Sequence, residues 1–210
     1  MTGFDVAALA PPLRVPRLAA GPVVLRAFAL DDLALVREAA TDPSVASVSS
    51  VPRAYTDDTG RAFIRRQLRR ATDGDGFSFV IAENAVPPGG GAGIGSIGLW
   101  LHEIDNGRAS IGYWLVAGAR GRGLAGFALR ALVVFAFEEL RIPRLHLFVE
   151  PWNVASARTA ESAGFVREAT LRGWERIDGE QRDADCYSLL RSEWSPRSAS
   201  AGPAVGEVPG

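Results

Sequence analysis

Lysine is absent from this 210-residue chain, and all 23 basic residues are arginine. That absence excludes a phosphate-binding loop of the Walker type, which needs a lysine beside the phosphate oxygens. Cysteine is nearly absent as well, because Cys186 stands alone. A single cysteine excludes a disulfide framework and a thiolate metal cluster, and it is typical of a reducing compartment. We therefore expect a cytoplasmic protein that holds no metal.

Long apolar runs, excess positive charge and histidine are scarce too. No stretch approaches the roughly 18 apolar residues that span a membrane, and the first residues lack the features of a signal peptide. The net charge is −1, so the chain has no surplus of positive charge. A dedicated nucleic-acid-binding protein needs that surplus to neutralise phosphates. His102 and His146 lie singly in apolar segments, without a partner at metal or triad spacing. We expect neither a nucleic-acid nor a membrane partner.

A hydrophobic content of 47% over this length favours one globular domain. Residues 1–20 and 195–210 are rich in proline, glycine, alanine and serine and poor in residues that form a core. We expect both ends to be loosely ordered, the second as a flexible tail. The domain is then predicted over residues 21–194.

The order of predicted elements is that of a mixed α/β protein. Apolar patterns predict seven strands, at 23–28, 77–83, 94–101, 109–116, 145–149, 165–172 and 183–190. Helical patterns and caps predict four helices, at 31–40, 57–70, 123–140 and 153–163. The strand–helix–strand order between Ala109 and Val149 predicts a parallel crossover, and Asp178-Gly179 predicts a hairpin turn between the last two strands.

One turn between a predicted strand and a predicted helix has the character of an anion site. It reads Arg120-Gly121-Arg122-Gly123-Leu124-Ala125. Free N–H groups in the first turn of a helix attract anions, and glycine lets the backbone approach closely. The spacing is not that of the dinucleotide fingerprint, because a third glycine is missing. An ordinary tight turn is the alternative.

A second segment follows the next predicted strand. Asn153 and Ser156 stand at the start of a helix, and Gly164-Phe165 follow its end. By itself this pattern is typical of a helix cap and a glycine terminator.

Together the two segments resemble the Gcn5-related N-acetyltransferase superfamily, whose diphosphate loop has the form Gln/Arg-x-x-Gly-x-Gly/Ala. The run Ile111-Gly112-Tyr113-Trp114-Leu115, with Asn153-x-x-Ser156 and Gly164-Phe165, resembles the ribosomal-protein alanine N-acetyltransferase (RimJ/RimL-like) branch. The resemblance covers roughly residues 23–190. It implies a single-domain acetyltransferase fold with a mostly antiparallel sheet, a splayed parallel central pair and flanking helices, and acetyl-CoA as co-substrate.

The resemblance also implies roles for particular residues. The diphosphate of coenzyme A would rest on the backbone of seven residues: Arg120, Gly121, Arg122, Gly123, Leu124, Ala125 and Gly126. The two arginines would add positive charge around it. The pantetheine arm would pair with Leu115 and Val116, where their strand parts from 145–149. Asn153 and Ser156 would contact the pantetheine or the thioester sulfur.

Two departures from the family pattern concern catalysis. Many relatives carry a tyrosine four residues before the Gly-Phe pair, as general acid, and this chain has Ala160 there. Relatives often carry a glutamate two residues before the Gly-Tyr pair, as a candidate base, and this chain has Ser110 there. Ser156 as a hydroxyl donor, and Glu103 or Glu150 acting through water, are the candidate substitutes. Either glutamate could instead be a solvated surface acid.

The sequence therefore predicts an N-acetyltransferase that transfers acetyl to a primary amine by direct attack in a ternary complex. An α-amine of a protein or peptide, or a small-molecule amine of low pKa, is the expected acceptor. The protein would act as a monomer or a homodimer. A non-catalytic acyl-CoA-binding sensor or assembly domain is the alternative.

Overall fold

The structure is a computed structural model that describes residues 4–84 and 91–195. Its strands are β1 Leu18–Ala20, β2 Val23–Arg26, β3 Gly76–Glu83, β4 Gly93–Trp100, β5 Arg108–Leu115, β6 Arg144–Val149, β7 Val166–Ile177 and β8 Glu180–Leu190. Its α-helices are α1 Leu33–Thr41, α2 Pro43–Ala46, α3 Asp57–Asp73, α4 Leu124–Val134 and α5 Val154–Ser162.

The described strands form one sheet in the order β1-β2-β3-β4-β5-β6-β8-β7. Every neighbouring pair is antiparallel except β5 and β6, which are parallel and joined by α4. The predicted fold class is confirmed. The sheet has eight strands where about seven were expected, because β1 adds one at the edge.

The segment before β2 is more regular than its composition suggests. We expected residues 1–20 to be loosely ordered, but Val6–Leu9 forms a 3₁₀ turn and Leu18–Ala20 pairs with β2. Leu9 and Ala20 are buried. A three-residue edge strand needs only backbone groups, so a proline- and alanine-rich sequence can still supply it. Residues 196–210 lie outside the described residues, and their expected flexibility stays a prediction.

Helices cover both faces of the sheet. In β3, Ser78 donates a hydrogen bond to Gln67 of α3 (3.0 Å), whereas Phe77 and Phe79 contact the ring of Phe135, directly after α4. Successive strand residues point to opposite faces, so α3 and α4 lie on opposite sides. The helix predicted over 123–140 is α-helical only to Val134 and ends in a π turn over Phe135–Glu139.

The central parallel pair is short. β5 and β6 pair at only three positions, Arg108 with Arg144, Ala109 with Leu145 and Ser110 with His146. Beyond them the rest of β5 pairs with β4, and the rest of β6 pairs with β8. The two strands therefore diverge in a fork that opens toward their carboxyl ends, as the resemblance implied.

We expect Phe135→Ala to destabilise the fold by about 3 to 5 kcal/mol, because it leaves a cavity against Phe77 and Phe79. Phe135→Leu keeps most of the volume and should cost about 1.5 kcal/mol or less. Urea unfolding of both variants measures the difference. Equal stability of the alanine variant and the wild type would contradict this view of the core.

Candidate functional site

The fork leaves backbone hydrogen-bonding groups of β5 without a strand partner. The N–H of Val116 donates to the carbonyl oxygen of Ile94 (3.0 Å), on the side of β4. Because N–H and C=O groups alternate in direction along a strand, those of Tyr113 and Leu115 point the opposite way, into the fork. An extended ligand can pair with this edge as an added strand would.

The pantetheine arm was predicted to pair with Leu115 and Val116, and the structure shows which of their backbone groups are already engaged. Val116 directs its N–H toward β4, away from the fork. The carbonyl oxygen of Leu115 already accepts from Nε (3.0 Å) and Nη2 (2.8 Å) of Arg120, so only the amide of Leu115 is left for a ligand. Tyr113, which we did not single out, contributes the rest of the edge. The period-two alternation of the strand was the signal that could have identified it.

The turn between β5 and α4 presents unpaired amides beside the fork. Gly121 and Gly123 have φ values of 74° and 72°, a left-handed conformation that favours glycine. No atom lies within 4 Å of a Cβ built at either position. Glycine is therefore favoured by the backbone conformation and not by a lack of space for a side chain. Among the described residues, nothing accepts from the amides of Gly121, Arg122, Gly123, Leu124 or Ala125. Five such donors at a helix N-terminus suit an anion.

The two ends of the predicted diphosphate segment are different. The amide of Arg120 donates to Ala117 (3.2 Å) and that of Gly126 to Gly123 (3.1 Å), so neither amide is available to a ligand. The amides free for an anion are therefore those of residues 121–125.

The arginines of the turn do not supply a free positive charge. Arg120 pairs with Asp42, and Arg122 pairs with Glu83 at 2.9 Å. Each guanidinium is thus offset by a carboxylate from another part of the chain. The backbone amides are therefore the anion-binding groups that no other part of the described chain already engages.

The start of α5 borders the fork. Asn153 Oδ1 accepts from the amide of Ser156 (3.1 Å), which makes it the helix cap that the sequence predicted. The Tyr113 hydroxyl donates to the backbone oxygen of Ser156 (3.4 Å). Burial raises the pKa of the Tyr113 phenol, while hydrogen bonds with Ser156 and Thr159 oppose that shift. Two hydroxyl-bearing side chains, Tyr113 and Ser156, therefore meet where β5 faces α5.

The two glutamates predicted as candidate bases lie in different environments. Glu103 accepts from Arg108 Nη2 (2.6 Å), and this hydrogen bond lowers the pKa of Glu103. A lowered pKa makes a carboxylate a weaker proton acceptor. Glu150 follows β6 and accepts from Asn153 Nδ2 (3.4 Å), so it lies beside the fork.

A third carboxylate, which the sequence did not reveal, is that of Glu175. It is half-buried, and burial together with the charge of Glu150 raises its pKa. A bulge in β7 places it there, because three residues between Leu171 and Glu175 oppose the single residue Asp183 of β8. Asp183 accepts from the amide of Gly173 within the bulge (2.8 Å). No local sequence pattern announces such a bulge.

The β7–β8 hairpin reaches across the sheet. It extends past Val149, the last residue of β6, and Asp178 at its turn pairs with Arg53 of the segment before α3 (2.6 Å). The ion pair joins the far edge of the sheet to the α3 side. On the face of the sheet that carries α3, this ion pair therefore links the β7–β8 turn to the segment before α3.

His146 stays a structural residue in this geometry. It is buried, its ring contacts Phe148, and its Nε2 lies 3.6 Å from Glu103. Burial lowers its pKa, so the imidazole is neutral at pH 7. Within residues 4–84 and 91–195, no cluster of three or more histidine, cysteine, aspartate or glutamate side chains could hold a metal. No helix in the same part of the chain is long and apolar enough to cross a membrane.

Comparison with known proteins places this geometry in context. The acetyltransferase (GNAT) domain family matches residues 23–166. The uncharacterized N-acetyltransferase p20 of Bacillus licheniformis is 28% identical over 175 residues, which cover 82% of this chain and 95% of p20.

Two of the solved structures that share the fold are those of RimL and RimJ. RimL, a ribosomal L7/L12 α-N-protein acetyltransferase in complex with coenzyme A, gives a TM-score of 0.73 at 19% identity, over 85% of this chain and 99% of RimL. Mycobacterium smegmatis RimJ, in complex with a CoA-disulfide, gives 0.73 at 23% identity, over 90% of this chain and 92% of RimJ.

We expect Glu175→Gln to raise the melting temperature at pH 7.5 by about 1 to 3 °C. The folded state raises the pKa of Glu175, so ionisation of this carboxyl destabilises the fold as the pH rises above the unfolded value of about 4.3. The gain should vanish below about pH 4, where the carboxyl is protonated in both states. Thermal melts of wild type and variant across this range measure it.

Glu103→Gln is the matched control of opposite sign. Arg108 lowers the pKa of Glu103, so its charge stabilises the fold above the unfolded pKa, and this variant should melt lower than the wild type at pH 7.5. A lower melting temperature for Glu175→Gln at that pH would contradict the burial of Glu175.

Proposed function

Because the chain belongs to the GNAT acetyltransferase family and is therefore an N-acetyltransferase, we propose that it transfers the acetyl group of acetyl-CoA to an α-amine. The acceptor is the free N-terminus of a protein or peptide, or a small molecule whose amine has a comparably low pKa. Transfer occurs by direct attack in a ternary complex.

The observation that carries this proposal is the fork opening onto a row of free amides. Coenzyme A has an extended pantetheine arm with amide groups, followed by a diphosphate. The Tyr113 and Leu115 edge of β5 can pair with the arm, and the amides of residues 121–125 lie next to it for the diphosphate. Of the structures that share the fold, that of RimL contains coenzyme A and that of RimJ contains a CoA-disulfide.

The leaving group needs a hydrogen-bond donor. When the amine nitrogen bonds to the thioester carbon and the carbon–sulfur bond breaks, the electron pair stays on the sulfur as a thiolate. Ser156 stands at the start of α5, with the Tyr113 hydroxyl beside it. The Ser156 hydroxyl can donate to the sulfur as its charge develops, and the Tyr113 hydroxyl can do so by turning away from the Ser156 carbonyl oxygen. Tyr113 thus offers a phenol in a site where Ala160 lacks one.

The attacking amine must lose a proton. Glu175 suits this step better than Glu103, because its raised pKa makes it the stronger base and no arginine pairs with it among the described residues. Glu150, whose charge acts on Glu175, is the second carboxylate on this side of the fork. With Tyr113 and Glu175 present, the departures at Ala160 and Ser110 still leave a hydroxyl and a carboxyl, which favours an enzyme over a binding-only domain.

The mechanism needs no covalent intermediate. Cys186, the one thiol of the chain, lies in β8, and burial raises its pKa. A thiol with a raised pKa is a poor nucleophile at neutral pH. The amine itself is therefore the nucleophile that attacks the thioester.

The acceptor preference follows from amine basicity. At pH 7 a lysine amine of pKa about 10.4 is neutral in roughly one molecule in 2,500, whereas an α-amine of pKa about 8 is neutral in roughly one in ten. The difference is a handicap of about 3 kcal/mol for lysine, reduced in part by its greater nucleophilicity. RimL, described as an α-N-protein acetyltransferase, agrees with this preference.

Two versions of one peptide test the acceptor class. One has a free N-terminus and a blocked lysine, and the other has a blocked N-terminus and a free lysine. We expect acetylation of the first to be at least about tenfold faster at pH 7, since far more of its amine is neutral. Release of free thiol measures both rates. Faster acetylation of the lysine would refute the α-amine preference.

We expect Gly123→Asp to weaken coenzyme A binding by more than about tenfold, because it places a carboxylate among the amides meant for the diphosphate. Gly123→Ala carries only the cost of a positive φ and separates strain from charge. Gly118→Asp adds the same charge just before the turn, at an exposed glycine with free space around it, and should bind almost normally. Calorimetry on the folded variants decides, and unchanged affinity of Gly123→Asp would remove the diphosphate from this turn.

A further inference from the structure

We propose that Asp42 is a positioning residue for the cofactor-binding turn, and that it acts by holding Arg120 onto the end of β5. Arg120 is then a brace of the turn and not a ligand of the diphosphate. The inference rests on the proposed function, since it takes the amides of residues 121–125 as the diphosphate site.

The hydrogen bonds of Arg120 show how it is committed. Its Nε and Nη2 donate to the Leu115 oxygen at 3.0 and 2.8 Å, and Nη2 also donates to Asp42 Oδ2. The guanidinium therefore closes the loop over residues 115–120 onto its own starting strand. Inside this loop the amide of Ala119 donates to Val116 (3.0 Å) and that of Arg120 to Ala117 (3.2 Å).

Asp42 is itself firmly placed. It caps α2, where its Oδ1 accepts from the amide (3.0 Å) and the hydroxyl (2.7 Å) of Ser44, and its Oδ2 is left for Arg120. Burial opposes its ionisation, but hydrogen bonds from Ser44 and the charge of Arg120 outweigh burial and lower the pKa of Asp42. Asp42 is thus a fixed anion at neutral pH, and Arg120 is fixed with it.

A fixed carboxylate near a diphosphate site is unfavourable by charge alone. Asp42 therefore helps the site only by what it does to the geometry of the turn. If Arg120 were instead a phosphate ligand, Asp42 would compete with the phosphate for it. The two roles predict opposite results when the charge of Asp42 is removed. If Asp42 holds the turn in place, coenzyme A binding weakens; if it only repels or competes with the diphosphate, binding strengthens.

The test is Asp42→Asn, because asparagine keeps the helix cap but loses the ion pair. We expect the Kd for coenzyme A to rise about two- to fivefold, the range for loss of one partly exposed ion pair. The KM for acetyl-CoA should rise with it while kcat stays within about twofold, since the ion pair acts before the chemical step. An unchanged or lower Kd would overturn the inference.

Two further variants keep the result interpretable. Glu83→Gln makes the same chemical change at the carboxylate that pairs with Arg122, and it should not weaken coenzyme A binding. Arg120→Lys keeps the positive charge but cannot hold the Leu115 oxygen and Asp42 together, so it should weaken binding as Asp42→Asn does. Normal binding by Arg120→Lys would overturn the inference even if Asp42→Asn failed to fold.

A double variant shows whether Asp42 acts through Arg120. In an Arg120→Gln background, adding Asp42→Asn should cause no further weakening, because the partner is already lost. Independent, additive losses would overturn the inference. Absence of coenzyme A binding by the wild type would instead refute the proposed function, so the two failures are distinguishable.

Discussion

The separation of β5 from β6 is the constraint on which the site depends. Each strand keeps an antiparallel partner on its outer side: β4 pairs with β5, and β8 pairs with β6. Both strands therefore stay in the sheet where they part from each other. Inside the fork, the backbone groups of Tyr113 and the amide of Leu115 are left without a strand partner. Unpaired backbone groups away from water are costly, and a ligand that pairs with them removes that cost. The fold thus holds a ready-made place for one extended chain.

The two arginines of the turn that follows the fork are paired with carboxylates, and this pairing determines how the turn can bind an anion. Arg120 and Arg122 stand in the turn, yet Asp42 and Glu83 offset them. Recognition is left to backbone amides, whose directions are fixed by the positive φ of Gly121 and Gly123. A site of this kind selects by the placement of donors more than by net charge. It fits a chain whose overall charge is −1.

Local patterns predicted seven of the eight described strands, four of the five described α-helices and the turn, because strand alternation, helix caps and glycine spacing are properties of short segments. They missed β1 and α2, which are only three and four residues long. They could not show that Arg120 pairs with a residue 78 positions away in the chain, nor that the carbonyl of Leu115 is occupied. Glu175 was not predicted as a site residue for a related reason. Its position depends on a bulge in β7, and an extra residue in a strand becomes visible only once the partner strand is known.

The ion pair between Arg53 and Asp178 makes the two sides of the fork differ in how firmly they are held. Both side chains are more than half exposed, and an ion pair in water is readily broken and is screened by salt. The cofactor side, by contrast, is framed by strand ladders and a helix start that persist as long as the domain is folded. One side of the fork is therefore held by the hydrogen-bonded sheet itself, whereas the other is joined by an exposed ion pair, and salt should loosen the second without disturbing the first.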